Sequence, residues 1–335
     1  MRKITLEDIA RMAGVSKATV SRVLNGKKDG YSRETGDRVR QLLEDVGYLR
    51  TEGQMPYLGR TKSIGLILPD ITNPFFQSIA DAVEDYAYQQ DYTLLLGGTR
   101  LSAEREQKFI STFVTKRVDG IIMVVASGNQ TALQLLDRYR VPSVLLDRRY
   151  AGANPFQAGV FVDSMYPIYL ACEHLIKHNC QHLVFISGPE GVSTARERFD
   201  GYRTALSQYA IDLDANLVCY GDYTIRSGYE CMAQIIQSNI HFDAIIAAND
   251  FMAIGALAAV REAGIPVPDE VEIIGFDGID ICEYITPTLS TIVQPAYEMG
   301  RKSAELLFNL IHGIPIKHPY VSMEAKLALR GTTRE

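Results

Sequence analysis

Lys17, Ala18 and Arg22 are spaced so that on a helix they share one face, about one turn apart. Arg22 can bond guanine O6 and N7 together, and the Ala18 methyl can meet a thymine methyl, so such a face could read bases in a major groove. Around it, Thr5, Ser16, Thr19, Ser21 and Asn25 are short hydroxyl or amide groups of the kind that hold phosphates, which positions a duplex without reading it. The blander alternative is a solvated face on a small helical core.

A second set of reactive side chains falls at the ends of apolar runs. Asn73, Phe75 and Phe76 follow the run 64–68, Asp147 and Arg148 follow 141–146, Asn249 follows 244–248 and Asp277 follows 271–276. Arg198, Tyr223 and Gln294 complete the set. Aromatic faces stack on the C–H faces of a polyhydroxylated ring, and carboxylates, amides and guanidinium groups satisfy its hydroxyls. Asp147 and Asp277 would repel an anion unless Arg148 and Arg198 compensate.

A third cluster, Cys172, His174, His178, Cys180 and His182, has the density of metal ligands. No second clustered pair follows it, and the HExxH order is absent, so residues of a surface helix passing into a strand are the expected reading, with Asn179 in a left-handed turn. No metal and no cofactor is expected. No GxSxG, Walker loop or GxGxxG occurs either, and an enzyme is not expected.

The elements that would carry these residues differ along the chain. Thr5 precedes Leu6, Ile9, Ala10 and Ala13, a helical stripe that Thr5 and Asp8 cap and Gly14 stops. Ser16 caps a second helix with Val20, Val23 and Leu24 inward. Ser32 caps a third with Val39, Leu42, Leu43 and Val46 inward, and Gly47 ends it. A short Gly-containing turn between the first two makes a helix-turn-helix. From residue 63 onward, short β-rich runs alternate with amphipathic helical stretches in two similar series, near 63–161 and 163–289, which implies two doubly wound parallel-sheet lobes.

Charge divides the 335-residue chain at the same place. The net charge is −6, yet residues 1–60 hold 12 Lys+Arg against 8 Asp+Glu and the remainder holds 22 against 32. A basic head suits nucleic acid, whereas the acidic body is repelled by it. An odd cysteine count of five without a CxxC pair predicts free thiols in a reducing cytoplasm. No apolar run reaches the ~20 residues of a membrane span, and no signal-peptide pattern opens the sequence.

The unbroken run 5–25, from Thr5 through Gly14-Val15-Ser16-Lys17 to Asn25, closely resembles the DNA-binding signature of the lactose-repressor (LacI/GalR) family. The resemblance implies a small all-α helix-turn-helix head (1–48), a hinge (49–62) and an α/β body (63–335) of periplasmic-binding-protein type I fold. It further implies three crossings between lobes, with an N-lobe of about 63–161 and 291–320 and a C-lobe of about 163–289 and 321–330. In that family the positions of Lys17, Ala18 and Arg22 read operator bases. The pocket set resembles that of ribose-type repressors, with Tyr223 in place of the usual Phe. The hinge departs from the family: residues 49–60 lack its Asn and Ala-Arg pair, and Gly53, Pro56 and Gly59 break helical propensity. Leu58 or Met55 could wedge a base step, or the segment could be an irregular tether.

The resulting expectation is a cytoplasmic homodimeric regulator on pseudo-palindromic double-stranded operator DNA, controlled by a sugar effector such as ribose or a related pentose or polyol. Another sugar, a sugar phosphate or a protein partner is the alternative effector. A sugar-binding receptor without DNA function is the reading from a different class.

Overall fold

A computed structural model describes residues 5–24, 30–45, 60–126, 130–150 and 156–334. The roles expected of Asn25, Val46, Gly47, Met55 and Leu58 lie outside the described residues.

The head forms α1 (Leu6–Ala13), α2 (Lys17–Leu24) and α3 (Arg33–Asp45). Its short helices are held by local chemistry. Thr5 and Asp8 make a reciprocal capping box, Gly14 closes α1 at φ 63°, and the Ser16 and Ser32 hydroxyls accept the backbone N–H groups of Thr19 and Thr35. Ile9, Ala10, Ala13, Val20, Val23, Val39 and Leu43 pack together as a separate small core.

The first lobe runs β1 (Ser63–Leu68), α4 (Pro74–Gln89), β2 (Thr93–Gly98), α5 (Ala103–Lys116), β3 (Gly120–Met123), α6 (Gln130–Arg138), β4 (Ser143–Leu146) and β5 (Ala158–Val162). The second runs α7 (Met165–Lys177), β6 (Leu183–Ser187), α8 (Ser193–Gln208), β7 (Val218–Tyr220), α9 (Ile225–Gln237), β8 (Ala244–Ala247), α10 (Asp250–Glu262), β9 (Glu272–Asp277) and β10 (Ser290–Val293). The chain then returns through α11 (Ala296–His312) and β11 (Tyr320–Met323) to β12 (Lys326–Ala328). The sheet orders are β11-β5-β4-β3-β1-β2 and β12-β10-β9-β8-β6-β7, parallel throughout except where β12 pairs antiparallel with β10. Strands β3, β4, β8 and β9 are buried along their whole length, which explains why they read as continuous apolar runs instead of alternating ones.

Strand pairing corrects two expected boundaries. Residues 290–293 pair with β9 and belong to the second lobe, so that crossing falls at Gln294 and not before Thr291. Residues 320–323 pair in parallel with β5, so 321–323 belong to the first lobe. The reason is physical: both segments are short completing strands at or near sheet margins, whose membership is fixed by backbone pairing and leaves little mark on composition. The cysteine expectation is corrected as well. Cys219 on β7 and Cys231 on α9 are joined as a disulfide, their Cα atoms 5.9 Å apart, because the β7–α9 connection folds the helix back beside its strand. Cys172, Cys180 and Cys282 are free and buried. Asn179 takes the expected left-handed turn at φ 67°.

Candidate functional site

In the head, Ser16, Lys17, Ala18 and Arg22 stand exposed, and Thr19 and Ser21 are half-buried. Lys17 Nζ lies 3.0 Å from Glu7 Oε1 across the turn between the two helices. Arg22 rests against Gly30, where an added Cβ would come within 2.9 Å of its Nη1. The Thr5 hydroxyl donates to Asp8 Oδ2 at 2.6 Å, so its first duty is to hold the helix start. α2 thus presents its polar face outward while Val20 and Val23 anchor the other side.

In the body, the carboxyl ends of the strands from both sheets meet around a cavity of about 420 Å³. The first lobe contributes Asn73, Phe75, Phe76, Asp147 and Arg148, and the second contributes Arg198, Tyr223, Asn249 and Asp277. Those are nine of the ten residues nominated from sequence. Gln294 lines a neighbouring cavity instead and touches the pocket indirectly, its Nε2 donating to Asp277 Oδ1 at 2.9 Å. The cause is its place in the interlobe crossing, one residue beyond β10.

Local structure explains how these side chains are held. Asn73 and Asn249 cap α4 and α10, their Oδ1 atoms accepting from Phe75 and Met252 backbone N–H groups at 2.9 Å. Asn249 Nδ2 also donates to the Tyr223 carbonyl at 3.0 Å. Phe75 and Phe76 meet edge to face at 5.0 Å. The Arg198 guanidinium lies 3.7 Å from the centre of the Phe276 ring, and its Nη1 donates to the Ala248 carbonyl. Arg148 Nη1 donates to the Val125 carbonyl at 3.3 Å, and its Nε stands 3.8 Å from Asp147 Oδ2. Asp147, Tyr223 and Asp277 all sit at positive φ (64°, 69° and 123°), which holds three lining side chains in sparsely populated conformations at about 1–3 kcal/mol each.

The electrostatics follow from burial. Asp147 and Asp277 are each 6% exposed, and Arg148 and Arg198 are 5% and 4% exposed. Desolvation pushes the Asp147 carboxyl up, with Arg148 and Arg198 opposing it. Desolvation raises Asp277 to about 8, with Arg198 opposing and Asp250 and Asp147 adding to the rise. The two buried carboxyls face two buried guanidinium groups across the pocket. Arg198 Nε and the Tyr223 hydroxyl are buried atoms that make no hydrogen bond among the described residues.

Several lining residues escaped the sequence reading: Asp70, Thr72, Arg100, Asp222 and Thr224. Arg100 had a usable signal, since it lies two residues beyond β2 and so obeys the strand-end rule. Asp250, fully buried, positions the site from beneath. Its Oδ2 accepts from the backbone N–H groups of Gly278 and Ile279 at 2.7 and 2.9 Å, and its Oδ1 accepts from the Thr291 hydroxyl. Only glycine fits above it at 275, where a Cβ would lie 2.2 Å from Asp250 Oδ1.

Residues 5–51 match the family of "Bacterial regulatory proteins, lacI family", and residues 172–333 match a "Periplasmic binding protein-like domain". The ribose operon repressor of Halalkalibacterium halodurans is 34% identical over 332 residues, covering 98% of this chain and 97% of the relative. The HTH-type transcriptional repressor PurR of Pasteurella multocida is 32% identical over 98% of each chain. Among solved structures, the transcriptional regulator CelR in complex with cellobiose superposes with a TM-score of 0.75 at 29% identity, over 98% of this chain and 100% of the other. A LacI-family regulator from Enterococcus faecium with bound ribose gives 0.72 at 30% identity, over 81% and 98%. Among the described residues no helix is long and apolar enough to cross a membrane. A helix-turn-helix head with an exposed polar face, joined to two lobes around a polar pocket, therefore belongs with relatives that are repressors and not enzymes: the chain is a member of the lacI family of bacterial DNA-binding regulators.

Proposed function

We propose that the interlobe pocket binds a neutral monosaccharide, ribose or a related pentose or polyol, and that this binding sets the affinity of a cytoplasmic homodimer for a pseudo-palindromic operator of sugar-catabolic genes. The observation that carries the reading is the pocket's pairing of aromatic faces with hydrogen-bonding groups of both kinds. Four carboxyls (Asp70, Asp147, Asp222 and Asp277) and three guanidinium groups (Arg100, Arg148 and Arg198) line it beside Phe75, Phe76 and Tyr223, offering donors and acceptors in quantity to the hydroxyls of a ring. A sugar phosphate would bring its charge against a lining that already holds carboxyls, whereas a free sugar brings only hydroxyls. The similarity to a ribose operon repressor and to a ribose-bound regulator supports the same class.

In the head, Lys17, Ala18 and Arg22 would read bases, with Thr5, Ser16, Thr19 and Ser21 against phosphates. Closing the lobes on a sugar shifts where the two heads of a dimer stand, and the coupling is reciprocal: a sugar that loosens operator binding is itself bound less tightly on operator. Calorimetry of the full chain with D-ribose, other pentoses, hexoses and ribose 5-phosphate tests the reading, paired with operator binding by fluorescence anisotropy. A free pentose should bind at least tenfold more tightly than its phosphate and should change operator affinity. Tighter binding of the phosphate, or an operator affinity indifferent to every sugar that binds, overturns it.

A further inference from the structure

The cysteine–histidine cluster that the effector pocket leaves unused gains a partner in three dimensions. His174 lies in the last turn of α7 and His178 caps that helix, one turn on, with ring centroids 4.2 Å apart. Glu272, 94 residues away in sequence and the first residue of β9, brings a fully buried carboxylate to the same spot, Oε2 at 3.2 Å from His178 Nδ1. One donor atom from each of the three residues lies within 4.8 Å of the others. A tetrahedral cation with bonds of about 2.0–2.2 Å needs its donors about 3.3–3.5 Å apart, a closure within the reach of side-chain torsions. His174 Nε2 is a buried nitrogen with no hydrogen-bond partner among the described residues.

A positive charge already occupies the carboxylate. Arg334 Nε donates to Glu272 Oε1 at 2.8 Å, Nη2 donates to the same oxygen, and the Arg334 backbone N–H donates to Oε2 at 2.8 Å. The Arg334 side chain is 44% exposed, and its Nη2 also donates to the His178 carbonyl at 3.0 Å and to Cys180 Sγ at 3.4 Å, bonds that it gives up to water when an ion takes its place. The tail preceding it does not depend on that contact: the Thr332 hydroxyl donates to the Ile273 carbonyl at 2.7 Å and its backbone N–H to the Thr288 carbonyl at 3.0 Å. The buried carboxylate therefore has a cation whichever of two partners supplies it.

We propose that His174, His178 and Glu272 form a binding site for one divalent transition cation of the zinc class, taken up in exchange for the Arg334 guanidinium. His178 turns its Nδ1 lone pair to the ion, its proton shifting to Nε2, and His174 supplies Nε2. Two imidazoles and one carboxylate leave a fourth position for water, and this donor set selects zinc or cobalt over magnesium. Cys180 Sγ stands 3.5 Å from Oε1, the other oxygen of Glu272, and lies outside the donor group.

The test uses the full chain without a histidine tag, stripped with chelator and desalted. Co²⁺ is followed by its visible absorption, and Zn²⁺ and Mg²⁺ by calorimetry. One equivalent of Co²⁺ or Zn²⁺ per chain is expected, and no heat with Mg²⁺. H174Q should weaken binding about tenfold or more with little change in melting temperature, because His174 Nε2 makes no hydrogen bond among the described residues. R334M should tighten binding about tenfold by withdrawing the competing cation. No cobalt band, binding unaltered by H174Q, or binding unaltered by R334M each overturns the proposal.

Discussion

Arg22 on the head is exposed, with its guanidinium against Gly30, whereas Arg198 in the body is 4% exposed, stacked on Phe276 and hydrogen-bonded to the Ala248 carbonyl. The same side chain serves opposite ends. In solvent, a guanidinium's charge is hydrated and screened, so its energy is realised only when a duplex arrives. In the pocket it is already committed, since it offsets carboxyls that burial would otherwise leave unpaired. The head is therefore a surface waiting for a partner, and the pocket is a pre-strained, pre-charged enclosure. Removing a group from the first should change binding alone, and removing one from the second should change stability as well.

The largest loss is expected from Arg198→Ala. It removes the buried guanidinium that offsets the desolvation of both Asp147 and Asp277, and truncating one member of a buried charge cluster costs about 3–5 kcal/mol. Urea unfolding should show the body destabilised by that order, with sugar binding abolished in calorimetry. Arg198→Lys should recover part of the stability and little of the binding, because an ammonium cannot reproduce the planar stack on Phe276. A variant as stable as the parent would mean that the pocket's charges do not depend on one another.

Arg22→Ala tests the other side. Specific operator binding should weaken by about 1–3 kcal/mol, random-sequence binding should hold, and the unfolding curve should not move. Equal losses on both DNAs, read by fluorescence anisotropy at fixed salt, would reduce Arg22 to a phosphate contact.

The two regions also differ in how much of them sequence reveals. The head's helices are set by contacts a few residues long. Thr5 with Asp8, Gly14 at positive φ, and Ser16 with Thr19 all sit where local spacing puts them. The pocket is assembled from segments far apart in the chain, yet one rule of parallel sheets points to much of it, because ligands sit beyond the carboxyl ends of the strands. The long-range contacts are less legible. Asp250 accepts from Gly278 and Ile279, Gln294 donates to Asp277, and Glu272 meets His178, each a pairing between elements far apart in the chain that no local pattern encodes. The short strands at 290–293 and 320–323 take their lobes from backbone pairing for the same reason. Cys219 and Cys231 belong here too, since their pairing depends on how α9 folds against β7.

A smaller effect sharpens the claim that the pocket is held at a cost. Burial raises the Asp277 carboxyl from its ordinary 3.8 to about 8, so the folded state binds a proton that the unfolded state has released between those values. The sign is that of a penalty: absent below about pH 3.8, growing as pH rises, and complete above pH 8. Asp277→Asn keeps the Oδ1 that accepts from Gln294 and removes the ionisation. A tenfold difference in proton affinity is about 1.4 kcal/mol, and allowing for relaxation the variant should be more stable by about 1–2 kcal/mol near pH 8. That advantage should vanish below pH 4, and sugar binding should weaken at every pH. Melting curves at pH 4, 6 and 8 decide it, and a difference independent of pH would remove Asp277 as the source.

The smallest effect belongs to the head's own scaffold. Thr5→Ala deletes the hydroxyl that accepts from the Asp8 backbone N–H at 3.3 Å and donates to Asp8 Oδ2 at 2.6 Å. The Thr5 backbone N–H still donates to Asp8 Oδ2 at 2.9 Å, so half of the capping box survives. Loss of such a cap costs about 1 kcal/mol. That is a large share for three short helices resting on a core of seven buried residues, and a small one for the body. Hydrogen exchange should therefore show faster opening of α1 and α2, with operator binding weakened a few-fold. The protection of β1, β6 and β9 should be unchanged. If those strands opened faster too, the head and the pocket would share one cooperative unit, and the separation between a locally held surface and a globally held enclosure would not stand.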